Sequence, residues 1–287
     1  MMPTDVGVID LMIGFPSEDA RRHYDFLKTQ LRDEESSRME FPAEYMFKGV
    51  PNYVGEDQDP VEVTLAAMDA HGVAVGLVGI GADVTKRALA DHPERFVGSL
   101  EVDPNDITKT VGRIRRAHEK YDIKAVTTFP AGCNPQVPVS DRRYYPVYQT
   151  CIDLDIPIIA NAGIARPRLP SACQHVMHFD QVCYDFPELR IVMRHGAEPW
   201  EELAVKLMLK WPGLFYMTSG FAPRYYPKAI IDYANTRGAD KIIYAGYFPM
   251  GLSIERIMTD MPKVGFKDEV WPKFLRTNAM RVLGLDG

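Results

Sequence analysis

The chain has 287 residues, 46% of them hydrophobic and 25% charged, with a net charge of −6. These proportions are ordinary for a folded globular protein, and the acidic balance argues against a general nucleic-acid or membrane-surface role. No apolar run approaches the roughly 18 residues of a membrane span, and the opening Met1-Met2-Pro3-Thr4-Asp5 has neither the basic nor the apolar part of a secretory signal. The scattered cysteines Cys133, Cys151, Cys173 and Cys183 contain no CxxC pair and read as reduced thiols of a cytoplasmic protein.

The first strand is expected over residues 7–13, Gly7-Val8-Ile9-Asp10-Leu11-Met12-Ile13. A long connection follows over 33–58, rich in Met39, Phe41, Pro42, Tyr45, Met46, Phe47, Pro51 and Tyr53. It is too aromatic for disorder and reads as a lid over a binding site or as a subunit contact. Beyond it the pattern is regular: helix 59–71, strand 73–80, helix 84–91, strand 96–102, helix 106–121, strand 123–128 and helix 143–154. Strand 157–161, helix 176–185, strand 190–194, helix 198–209, strand 214–218, helix 223–235, strand 241–245 and helix from 252 onward complete it. The strands are Val/Ile-rich and nearly continuous in hydrophobicity, as strands buried on both faces are. Eight strand–helix units predict a (β/α)8 TIM barrel, one domain over 1–287. A doubly wound open sheet is the competing architecture, but no GxGxxG follows a strand.

In such a barrel the C-terminal strand ends carry the chemistry. Here they bear Met12, Thr127, Thr128, Asn161, Arg194, His195, Ser219 and Tyr247, with Glu101 and Asp103 nearby. Strand alternation sets Arg194 and His195 on opposite faces. His195 suits general acid or base work near neutrality. Glu198 either orients it or caps the next helix. Arg166 and Arg168, after the fifth strand, suit a carboxylate or phosphate, or a surface ion pair. Arg224, Tyr225 and Tyr226 follow the seventh strand. Ser219 has no triad order around it, and Cys133 paired with His195 is a minor nucleophile alternative.

Several segments together resemble the amidohydrolase-2 family, which includes aminocarboxymuconate semialdehyde decarboxylase and resorcylate decarboxylases. They are Val8-Ile9-Asp10, Phe96 to Pro104, the block Asp185 to Trp200 around Met193-Arg194-His195-Gly196, Thr218-Ser219-Gly220, and Lys241 to Met250. The resemblance implies that His195 points inward and that the family's metal ligands map onto Met12, Gly14, Asn161, His195 and Tyr247. One histidine and one neutral amide do not make a three-ligand zinc site. The expectation is therefore a metal-independent enzyme without cofactor, hydrolysing an ester-like or carbonyl bond of an apolar or aromatic carboxylate. His195 would transfer protons, with Asn161 and Tyr247 polarising the carbonyl. Arg166, Met12, Thr128, Ser219, Tyr225 and Phe47 would bind a small-molecule substrate. The alternatives are a nonoxidative decarboxylase, a noncatalytic small-molecule-binding barrel, or a metal relocated to Glu101, Asp103 and His195. A homodimer is the expected assembly.

Overall fold

The computed structural model describes residues 1–17, 24–39, 41, 43–46, 54–55 and 57–285. The expected Val/Ile runs become parallel strands: β1 Val8–Asp10, β2 Val73–Gly79, β3 Phe96–Val102, β4 Ala125–Thr128, β5 Ile158–Asn161, β6 Ile191–Arg194, β7 Leu214–Met217 and β8 Ile242–Ile243. They lie side by side in sequence order, β1 through β8. The edges approach each other: Leu11 N–H points to Tyr244 O at 3.4 Å, and Gly246 N–H donates to the Asp10 carboxylate at 2.7 Å. The result is a TIM-barrel-like α/β fold.

The helices are α1 Glu34–Arg38, α2 Pro60–Ala70, α3 Asp83–Asp91, α4 Ile107–Tyr121, α5 Tyr145–Asp153, α6 Met177–Asp185, α7 Glu201–Lys210, α8 Lys228–Ala234, α9 Ile254–Asp260 and α10 Asn278–Leu283. Side chains that accept first-turn N–H groups set several of the starts: Asp33 for α1, Asp59 for α2, Asp106 for α4 and Ser253 for α9. Helix α1 falls inside the expected 33–58 loop. Phe47 and the other residues of 47–53 lie outside the described residues. Among the described residues no helix is long and apolar enough to cross a membrane.

Alternation along the strands divides the apolar side chains in two. One set, including Ile9, Leu77, Ala125, Ile159, Val192, Phe215 and Ile243, fills the interior of the curled sheet. The other, including Val8, Val78, Leu100, Ile158, Ile191 and Tyr216, packs under the helices. Ala279, Val282 and Leu283 of α10 join the interior set, so α10 plugs one end of the sheet. The opposite end, where the strands finish, stays open as the mouth.

Candidate functional site

Residues two places beyond an interior side chain on the same strand also point inward. Val192 thus directs Arg194 into the barrel, Ile159 directs Asn161, and Ala125 directs Thr127. These inward residues form one polar layer at the mouth. Arg194 Nε donates to Asn161 Oδ1, and Arg194 Nη2 reaches Glu101 Oε2 at 3.4 Å and Thr128 O at 3.5 Å. Thr127 Oγ1 donates to the same Glu101 oxygen at 2.5 Å. Arg194 is thus a fixed cation at the centre of the floor, its side chain only 11% exposed.

His195 reaches the same chamber, contrary to the opposite-face expectation. Strand β6 ends at Arg194, and His195, Gly196 and Ala197 take φ of 69°, 91° and 57°. Left-handed backbone at two non-glycine residues is strained and ends the alternation, so adjacent side chains share one cavity. Ser219 secures the turn: its Oγ accepts from His195 N–H at 3.2 Å and lies 3.2 Å from His195 Nδ1. Tyr247 sits edge-on to the imidazole, with ring centroids 5.6 Å apart. Burial first, then the charges of Arg194 and Arg166, push the His195 imidazole down to about 3. It is therefore neutral at physiological pH. Burial raises the Tyr247 phenol, which remains a hydrogen-bond donor.

The walls come from the loops after β5 and β6, which are clamped together. Ile164 N–H donates to Glu198 O at 2.8 Å, and Arg166 forms an ion pair with Glu198. Gly163 sits at φ 93°, where a Cβ would lie 2.6 Å from Glu198 O. Arg168 pairs with Asp33 and Glu35, and Tyr45 donates its hydroxyl to Arg166 O, which draws the segment after β1 against the β5 loop. The chamber so formed measures about 800 Å³. Among the described residues its lining carries four arginines (Arg166, Arg194, Arg224, Arg256) against two carboxylates, Glu101 and Glu198. Since Arg166 pairs with Glu198 and Arg194 with Glu101, the positive excess of the described lining comes from Arg224 and Arg256.

The other expected site residues are spread around this chamber. Asn161, Met12, Tyr225 and Arg166 line it. Ser219 is fully buried behind His195. Thr128 is also fully buried and turned outward, its hydroxyl shared between Val102 O and Tyr144 OH, while its neighbour Thr127 takes the inward place. Cys133 is buried, with its Sγ against Phe129 O at 3.5 Å, and burial pushes its thiol upward, away from thiolate chemistry. Sequence reasoning places Arg194 at a strand end but on the face opposite His195, which leaves it outside the expected site residues. Its signal was the two-residue spacing from Val192.

The positions that resemblance assigns to a metal do not fit one. Beside the single imidazole of His195 they hold a thioether, a glycine, a phenol and an amide whose oxygen already accepts from the Arg194 cation. Among the described residues no three His, Cys, Asp or Glu side chains converge to hold an ion, the Glu101, Asp103 and His195 set included.

Behind the mouth, Asp10 ties the first strand to the last. It is wholly buried and accepts from Met12 N–H at 2.9 Å and Gly246 N–H at 2.7 Å. Turning to accept the Met12 bond ends β1 at Asp10, short of the expected residue 13. Burial raises the Asp10 carboxyl to about 7, outweighing the Gly246 and Met12 N–H groups and Tyr244, which favour the ionised form. The unfolded chain releases this proton near pH ~4, whereas the folded chain keeps it until about pH 7. The stability this group confers is therefore complete below about pH 4 and is lost as pH rises toward 7. Asp10→Asn keeps an acceptor and cannot ionise. Its unfolding free energy relative to the parent should grow between about pH 4 and 7, by roughly 4 kcal/mol at most. Urea denaturation across that range reads the difference, and a pH-independent difference would contradict the assignment.

Known proteins place this architecture. A 2-keto-4-carboxy-3-hexenedioate hydratase of a Sphingobium species is 24% identical over 164 residues, 50% of this chain and 48% of that protein, so the match spans about half the relative's length. An uncharacterised TIM-barrel protein of Bordetella bronchiseptica superposes with a TM-score of 0.73 at 21% identity, covering 97% of this chain and 98% of that one. A 5-carboxyvanillate decarboxylase of Novosphingobium aromaticivorans, solved with manganese and 4-hydroxy-3-methoxy-5-nitrobenzoic acid, gives a TM-score of 0.68 at 15% identity, covering 99% and 98%. These two likenesses establish the fold alone. The amidohydrolase family profile matches residues 19–285, and the chain belongs to that family.

Proposed function

We propose that the protein is a lyase acting on a small organic carboxylate, breaking a carbon–carbon or carbon–oxygen bond beside the group that takes up the electrons. The carrying observation is the Arg194 guanidinium, held by Asn161 and Glu101 at the centre of the mouth. A fixed fork of donors in a partly buried site suits an oxygen on which negative charge sits or develops. In a decarboxylation the breaking bond leaves its electron pair on the substrate as CO2 departs. In a dehydration a proton leaves carbon before the hydroxyl goes. Both routes place charge on an oxygen that Arg194 can hold. His195, neutral and oriented by Ser219, is the proton carrier; Tyr247 and the Asn161 amide N–H groups are neutral donors to the same oxygen.

The hydratase and decarboxylase relatives support this lyase reading over the expected ester hydrolysis. The metal-independent character expected from the sequence stays part of the proposal, on the donor set described above.

Substrate binding also changes His195. An anion that neutralises Arg194 and Arg166 removes two of the causes that depress its imidazole, leaving burial. Its pKa therefore rises on binding, toward proton acceptance. The test is CO2 release and double-bond absorbance across aromatic and unsaturated carboxylates, with His195→Asn alongside. Turnover should fall by about 10²–10⁴ in the variant while KM stays within about threefold. Unchanged turnover in His195→Asn would remove the histidine from the mechanism. Tight anion binding without turnover across the panel would favour a noncatalytic binding barrel.

A further inference from the structure

The chamber is large for a single-ring acid. A cavity of about 150 Å³ holds benzene, whereas this one measures about 800 Å³. Its outer wall is also unusual. Nine large apolar side chains are exposed among the described residues, and Phe26, Met46, Ile164 and Tyr225 of these also line the chamber. Tyr225 is 60% exposed and Phe26 48%. Exposed apolar residues usually stand singly and need no account, but a contiguous apolar rim marks a binding surface. Here the rim continues inward through Phe129 and Phe221 to the arginine floor. One chamber therefore offers the largely buried Arg194 cation at its base and four exposed apolar side chains at its exit, where Arg224 stands 4.7 Å over the Tyr225 ring.

We propose that the natural ligand is an amphipathic carboxylate longer than one ring, whose apolar body runs from the floor out through the Phe26–Met46–Ile164–Tyr225 collar. The collar's occupant is the ligand's own tail, because the side chains that meet solvent also wall the ligand chamber. From the proposed function this inference takes only the seat of the carboxylate on Arg194. The specificity follows from the physics of each end. The charge is recognised at one point, and affinity grows with the apolar surface removed from water.

The experiment is calorimetric titration with butyrate, octanoate and dodecanoate, each below its micelle concentration. Affinity should rise about threefold to fourfold per methylene over the first several carbons, about 100-fold or more in total. In the Phe26→Ser/Ile164→Ser double variant, whose changes are at exposed positions, dodecanoate should weaken about tenfold and butyrate less than about twofold. Equal affinity for all three acids would overturn the proposal, as would a chain-length slope undiminished in the double variant. So would a change in its sedimentation, which would assign the collar to a second copy of the chain. Arg194→Gln separates the two readings. Weakening of all three acids upholds the anchor; undiminished butyrate binding beside an intact chain-length slope sinks the anchor and leaves the collar standing.

Discussion

Arg194→Gln lowers kcat/KM for the carboxylate substrate by about 10²–10³. The guanidinium is the charged donor that both Asn161 and Glu101 face. Glutamine retains a polar head but neither the charge nor the fork. Arg194→Lys restores the charge as a point without the planar geometry and recovers only part of the loss. Steady-state kinetics of both variants check this, with thermal unfolding to confirm that each still folds. Wild-type kcat/KM in the glutamine variant would refute the assignment.

Gly163→Ala has the largest expected effect on stability, a loss of about 3 kcal/mol or more. Two penalties coincide there. A φ of 93° is outside the range an alanine adopts easily, and the added Cβ would stand 2.6 Å from Glu198 O and 2.7 Å from Glu198 N. Those are backbone atoms, so no side-chain rotation relieves the clash. The bond from Ile164 N–H to Glu198 O and the Arg166–Glu198 ion pair are the contacts that must open. The loss should appear as a drop in melting temperature of roughly 5–10 °C, with Arg166 displaced from the chamber wall. A variant melting like the parent would show that the two loops are not clamped as described.

The barrel-type fold was legible because most strands are short runs rich in apolar residues and buried on both faces, and such runs stand out between amphipathic stretches. Strand ends were less legible. Residues 11–13 look as strand-like as 8–10, but Asp10 takes the Met12 N–H with its side chain and turns the chain away from the ladder. His195 was visible as a candidate by its resemblance to a family motif. Arg194 was visible at a strand end but was assigned to the outer face, because alternation leaves only one of two neighbours facing inward. The left-handed turn that admits both depends on φ at His195 and Ala197, non-glycine residues whose identity gives no hint of it. Thr127 and Thr128 show the converse error: adjacent identical side chains, with the choice of face settled only by the register of β4 against β3, where Thr127 stands opposite Glu101.

The bond between Asp10 and Gly246 joins residues 236 apart, which sets an order of events during synthesis. At roughly 5–20 residues per second, β1 leaves the ribosome some ~10–50 s before the segment it must meet. The α10 plug follows later still. Throughout that interval the apolar interior faces of the earlier strands have no closing partner. A premature stop codon before residue 278 should therefore yield an aggregation-prone fragment instead of a smaller working barrel.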